Sequence, residues 1–145
     1  METFEVVRLE PGHEALAAEV VRAFKSERAS PEHMRRFLAN RANVLFAALK
    51  DGAPVGFLLA HKLERLDNKL SSVLICEVEV AEEHRRKGVA TGMLGALQRA
   101  CAMDRSGDVW LIADETNTAA LALYDSTGAV RREGAAVLVD YRLDP

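Results

Sequence analysis

Three groups of residues have the types and spacings to do chemistry. Glu77 and Glu79 stand two apart at the end of the apolar run Val73-Leu74-Ile75-Cys76, with Val78 and Val80 alternating with them. Successive side chains of a strand point to opposite faces, so the two carboxylates share one face and the two valines the other. Ligand crevices in helix-covered sheets open at strand ends, and a carboxylate there can accept a proton or hold a cation. The same pair also suits a strand that simply surfaces into solvent. The second group is the turn Glu83-His84-Arg85-Arg86-Lys87-Gly88-Val89-Ala90-Thr91-Gly92. A glycine at a helix start lets backbone come close to a ligand, and the unpaired N–H groups of the first turn, aided by the helix dipole, form an anion site whose expected guest is phosphate. The turn is neither a P-loop nor a dinucleotide fingerprint, and by itself it is equally a solvated basic turn before an ordinary helix. The third group is Asn117 and Tyr124, about two helical turns apart and so on one helix face, with Gly128 beyond them. Alone, such a tyrosine is as well explained as a core aromatic with a satisfied hydroxyl.

Elements that would position these groups follow from periodicity and turn chemistry. Thr3 to Leu9 alternates as a strand does, and Leu16, Val20, Val21 and Phe24 then recur at helical spacing. Ser30-Pro31 before Met34, Phe37 and Leu38 predicts an N-cap and a second helix. Val44–Lys50 and Pro54–Leu63, joined by Asp51-Gly52, predict a hairpin. After a polar loop at Asp67-Asn68-Lys69, Ser72–Val80 makes a third antiparallel run. A long helix begins at Gly88, a strand is expected over Asp108–Asp114, a helix over Thr116–Ser126 ended by Gly128, and a final pair near Val130 and over Ala136–Leu143. The fold class is mixed α/β with a largely antiparallel front half, in a single domain over residues 1–145.

Composition narrows the function classes. The chain has 145 residues, 49% hydrophobic and 28% charged, with 19 Lys+Arg against 22 Asp+Glu and a formal charge of −3. A mildly acidic total with one short basic cluster, Arg85-Arg86-Lys87, gives no footprint for nucleic acid and points to cationic partners. Its longest apolar runs, such as Val55–Ala60, fall far short of the ~20 residues that cross a bilayer. Met1-Glu2-Thr3-Phe4-Glu5 lacks the pattern of a secretory signal, so the expected location is cytoplasmic. Cys76 and Cys101 are expected to be small core residues, and His13, His33, His61 and His84 show no metal-ligand spacing, so no metal is assigned.

Arg85-x-x-Gly88-x-Ala90 after an apolar strand, followed by Asn117, Ala120, Leu123-Tyr124 and Gly128, resembles the GNAT superfamily of N-acetyltransferases. The resemblance runs from about Val44 to the C-terminus. Within the family, Phe46-Ala47-Ala48-Leu49, Val55-Gly56, Glu77-Val78-Glu79-Val80, Glu83-His84-Arg85-Arg86 and Ala122-Leu123-Tyr124 look most like the type I aminoglycoside 3-N-acetyltransferases. Ile112 stands where some protein-acetylating relatives carry a glutamate.

The resemblance implies four helices around a mixed, mostly antiparallel sheet of about seven strands, its fourth and fifth splayed to admit acetyl-CoA. The backbone of Val78 to Val80 would pair with the pantetheine. The N–H groups of Arg86, Lys87, Gly88, Val89, Ala90 and Thr91 would hold the pyrophosphate, Arg85 would be a further cofactor-binding residue, and Asn117 would contact the pantetheine arm. Glu77 would be the base, with Glu79 as second candidate, either acting through a water. Tyr124 would be the acid at the departing sulfur, and the amide of Val78 or its neighbour the oxyanion donor. Attack would be direct, in a ternary complex without an acyl-enzyme. Glu77, Glu79, Asp114, Glu115 and Asp140 are candidates for an acidic wall against the ammonium groups of a cationic amine, which the resemblance makes an aminoglycoside. The loops Glu64–Ser71 and Ala29–Asn43 would set acceptor specificity, and Ala135–Val139 offers an apolar edge for a homodimer. A polyamine or other small-amine acetyltransferase and a protein acetyltransferase share the pattern. From other classes, a non-catalytic acyl-CoA-binding module or a nucleotide site would share parts of it.

Overall fold

The computed structural model describes residues 3–67, 69–132, 134 and 136–143. Met1, Glu2, Asn68 and Ala135, named above, lie outside the described residues. In chain order the elements are β1 (Glu5–Arg8), α1 (Glu14–Lys25), α2 (Pro31–Ala39), β2 (Asn43–Lys50), β3 (Ala53–Leu63), β4 (Ser72–Val80), a single 3-10 turn (Glu82–His84), α3 (Val89–Met103), β5 (Asp108–Trp110) and α4 (Thr118–Ser126). The strands form one sheet in sequence order, antiparallel from β1 to β4 and parallel between β4 and β5.

Local chemistry explains most boundaries. Asp51 and Gly52 both take left-handed φ, 52° and 81°, as the tight β2–β3 hairpin requires. Ser30 Oγ accepts the His33 N–H at 3.0 Å, with Pro31 at the first helical position of α2. β2 is buried on both faces, so its apolar residues divide between two layers. Val44, Phe46 and Ala48 join Val89, Met93, Leu94 and Leu97 of α3 on one side. Leu45 and Ala47 meet Ala17, Val20, Met34 and Leu38 of α1 and α2 on the other. Met93 and Leu97 are fully buried, and each such side chain contributes ~1.5–3 kcal/mol of transfer free energy.

β4 is where the fold prepares the site. Its partner register steps from Ile75↔Ala60 to Glu77↔Leu59, so Cys76 is an extra, bulged residue. The bulge reverses the face parity: Val73 and Ile75 before it, and Val78 and Val80 after it, all pack in the α3-side cluster. Glu77 and Glu79 are thereby turned to the α1 side, and Cys76 is exposed, against the expectation of a core residue. Cys101 is buried, and desolvation raises its thiol pKa, which suits an inert packing residue.

The described residues form five strands, not seven. β5 ends at Trp110 rather than Asp114, after three paired residues, Asp108↔Ser72 to Trp110↔Leu74. Ser72 Oγ fixes that short contact, accepting from Trp110 Nε1 at 2.8 Å and donating to Asp108 at 2.6 Å. Beyond Leu74 the β5-facing edge of β4 has no strand partner among the described residues. No strand forms at Val130 or over 136–143, where the apolar residues lie exposed.

Candidate active site

A cleft of about 850 Å³ lies between the C-terminal end of β4, the start of α3 and α4. Its walls are Val78, Glu79 and Val80 of β4, the turn from His84 to Gly88, the first residues of α3, and the inner face of α4. All the residues expected to hold the cofactor line it except Lys87.

The turn is built to present backbone donors. Arg85 Nε donates to the Val80 carbonyl at 3.0 Å, tying the turn to the end of β4. Arg86 and Gly88 both adopt left-handed φ, 63° and 83°. Gly88 caps α3 without a side chain, and the first intrahelical bond runs from the Gly92 N–H to the Gly88 carbonyl at 2.9 Å. The N–H groups of Val89, Ala90 and Thr91 therefore have no acceptor within the helix and meet the cleft at its positive end.

α4 is positioned by its two ends. Asn117 Oδ1 caps it, accepting the Ala120 N–H at 3.1 Å. At the other end Gly128 takes φ 95°, while Ala129 N–H donates to the Tyr124 carbonyl at 3.0 Å and Gly128 N–H to that of Asp125 at 3.4 Å. Between these stops Ala119, Ala120 and Ala122 face the cleft, and their short side chains keep it wide. Tyr124 lines the cleft half-buried, with its ring against the α3-side cluster. Burial raises its hydroxyl pKa, so it is a phenol at neutral pH.

The carboxylates are distributed unevenly. Glu79 lines the cleft. Glu77 lies on the same face of β4 but outside the cleft lining, and Lys25 Nζ of α1 donates to its Oε1 in an ion pair. Asp114 accepts from the Thr116 N–H at 2.9 Å and its hydroxyl at 2.7 Å, shaping the turn into α4, and these bonds lower its pKa. Glu115 and Asp140 are exposed, and none of these three lines the cleft. Among the described residues no three metal-ligating side chains come together, and no helix is long and apolar enough to cross a membrane. Sequence reasoning missed Lys25, which is 52 positions from its partner. It also missed Ala119, Ala120 and Ala122 as cleft residues, although the run Ala119-Ala120-Leu121-Ala122 was there to suggest a face kept small.

Solved structures share this architecture from end to end. The aminoglycoside acetyltransferase meta-AAC0020, from an uncultured soil metagenomic sample, superposes with a TM-score of 0.89 at 22% identity, over 97% of each chain. The aminoglycoside acetyltransferase HMB0005, also from an uncultured soil metagenomic sample, gives 0.81 at 28% identity over 97% of this chain and 99% of that one. AAC(6')-Iy, solved with the bisubstrate analogue CoA-S-monomethyl-acetylneamine, gives 0.77 at 16% identity over 97% and 99%. No curated protein matches the chain in sequence. Residues 14–129, which span the cleft and both helical layers, match the Acetyltransferase (GNAT) family, so the chain belongs to that family and is an acetyl-transferring enzyme.

Proposed function

We propose that this enzyme moves acetyl from acetyl-CoA to an amine of a cationic small molecule, an aminoglycoside, at its 3-amino group. The observation that carries the reading is one cleft that joins the open N–H groups of a helix start to the strand whose Glu79 lines it, with Glu77 on the same strand face outside the lining. GNAT acetyltransferases use acetyl-CoA, and the residues present suit it. The α3 amides with Arg85 and Arg86 match a pyrophosphate, and the edge of β4 at Val78 to Val80, which has no strand partner among the described residues, matches the amides of a pantetheine. Similar solved structures are named as aminoglycoside acetyltransferases, which supports the acceptor class. The 3-amino position rests on the sequence resemblance alone.

Bound acetyl-CoA supplies the acetyl group as a thioester. Glu77 takes a proton from the acceptor ammonium, directly or through a water, with Glu79 beside it as the alternative base. The amide N–H of Val78 or its neighbour donates to the thioester oxygen as negative charge develops there. Tyr124 gives its proton to the departing sulfur, although a thiol of pKa near ~8.5 leaves with little help. Neither cysteine takes part, and attack is direct. We place the reaction in the cytoplasm, where acetyl-CoA is made and used.

The deciding experiment is thiol release from acetyl-CoA with gentamicin, kanamycin, spermidine and a lysine peptide at matched concentration, followed by NMR of the product. Turnover confined to aminoglycosides, with acetyl on the 3-amino nitrogen, is expected. Faster turnover of spermidine or the peptide would overturn the acceptor. Acetyl on another nitrogen would overturn the position. CoA binding without turnover of any amine would overturn the assigned reaction.

A further inference from the structure

Lys25 ends α1, and Ser26 after it leaves the helix with a left-handed φ of 54°. From that corner the ammonium bonds to Glu77 and lies 5.6 Å from the centre of the Phe57 ring. Phe57 is the cross-strand partner of Glu79, and Leu59 that of Glu77. The lysine therefore covers the stretch of sheet face that carries both carboxylates. The ring beneath it is 3% exposed and is braced by Phe24 at 5.1 Å between centroids. A carboxylate beside the face of a fixed aromatic ring is a recognition site for a primary ammonium on a short apolar stem. The hydrogen bond Lys25 donates to Glu77, with the fields of Glu77, Glu79 and Glu27, raises the pKa of Lys25, so it stays charged across the working range.

An ammonium subsite next to the cofactor cleft is thus filled from within. The side chains of Lys25 and Glu77 are 41% and 36% exposed, and an ion pair this open to water contributes little net free energy. It holds the subsite closed against weak competitors and opens cheaply to a better one. We propose that Lys25 marks the acceptor-ammonium subsite and competes for it, so that the acceptor is a primary ammonium which displaces Lys25 from Glu77 and lays the carbon frame that bears it on Phe57. This rests on the acceptor role given to Glu77 above.

The test uses the full chain with CoA present and follows gentamicin and spermidine by calorimetry and by NMR of the lysine ammonium groups. In the wild type, either amine should shift the Lys25 ammonium signal toward that of solvent-exposed lysines. Lys25→Met keeps an apolar stem over the ring and should bind both amines about two- to fivefold tighter, with Lys25→Arg restoring wild-type affinity. A Lys25 signal that stays fixed while amine binds would overturn the proposal, as would unchanged or weaker binding to Lys25→Met. Glu77→Gln separates the two readings. Where it weakens binding but Lys25→Met does not tighten it, only the competitor role fails. Where Glu77→Gln binds as the wild type does, or no amine binds any variant, Glu77 is not the acceptor group and both fail.

Discussion

Tyr124 is half-buried in the cleft wall, and the loss of water around its hydroxyl raises its pKa. The consequence for rate is direct. A phenol that keeps its proton beyond ~10 remains a donor throughout the range in which the acceptor amine deprotonates. The rate should therefore climb with pH and not turn down before about pH 10, and Tyr124→Phe should lower kcat by ~10²–10⁴ with CoA affinity little changed. A rate within about twofold of wild type in stopped-flow thiol release would make Tyr124 a packing residue. The same shift bears on stability. A folded-state pKa above the unfolded one favours the protonated fold, a contribution fully present below the unfolded value and lost as pH rises through the folded value. Alkaline melting above about pH 10 should be steeper in the wild type than in Tyr124→Phe. Glu77→Gln is expected to cut the rate at pH 7 far more than it weakens acetyl-CoA binding, and to matter less at high pH, where the free amine is abundant. Steady-state kinetics at pH 7 and 9.5 decide this, and an unchanged rate at pH 7 would remove Glu77 from the base role.

At the scale of elements, α4 carries two jobs in one residue. Asn117 caps the helix through its oxygen and is also the candidate contact to the pantetheine arm. Asn117→Ala loses both, and should cost ~1 kcal/mol of stability. Asn117→Asp keeps a capping oxygen and gains favourable charge at the helix start, but loses the amide donors. It should melt like the wild type yet bind CoA about tenfold more weakly, by calorimetry; wild-type CoA affinity in Asn117→Asp would leave Asn117 a cap only. Gly128→Ala forces a side chain into the left-handed region and should cost ~1–2 kcal/mol, read by thermal denaturation. The Gly128 end was legible because stops are local chemistry, as were Asp51-Gly52 and Ser30-Pro31; the start was set at Thr116, two residues before α4 begins, with Asn117 read as a face residue rather than as the cap. The bulge was legible in principle, since the apolar parity of β4 changes from Val73 and Ile75 to Val78 and Val80. The extent of β5 was not. Leu111 and Ile112 continue its apolar run, but strand length is set by a neighbour, and pairing with β4 stops at Leu74. The Lys25–Glu77 pair was invisible for the same reason, because only the packing of α1 on β3 brings the two together.

At the scale of the whole molecule, the C-terminal segment is the part the five-stranded sheet leaves unaccounted for. Val137, Leu138, Val139, Tyr141 and Leu143 are 83%, 92%, 74%, 88% and 85% exposed. Branched and aromatic residues in that density have the composition of a strand. Leaving them in water forgoes about 25 cal/mol for each Å² that could be buried. The same molecule ends its sheet at β5, whose outer edge meets no other strand among the described residues. An open edge and an unpaired apolar segment, repeated in every copy, are complementary between two copies related by a two-fold axis. We expect a homodimer in sedimentation velocity, joined through residues 136–143. Val137→Asp with Val139→Asp places two charges inside that contact and should return the protein to monomer. CoA affinity should be retained, because neither position lines the cleft. A wild type that sediments as monomer at every concentration would place the segment on its own sheet edge instead, and the double variant would then lower thermal stability without changing mass.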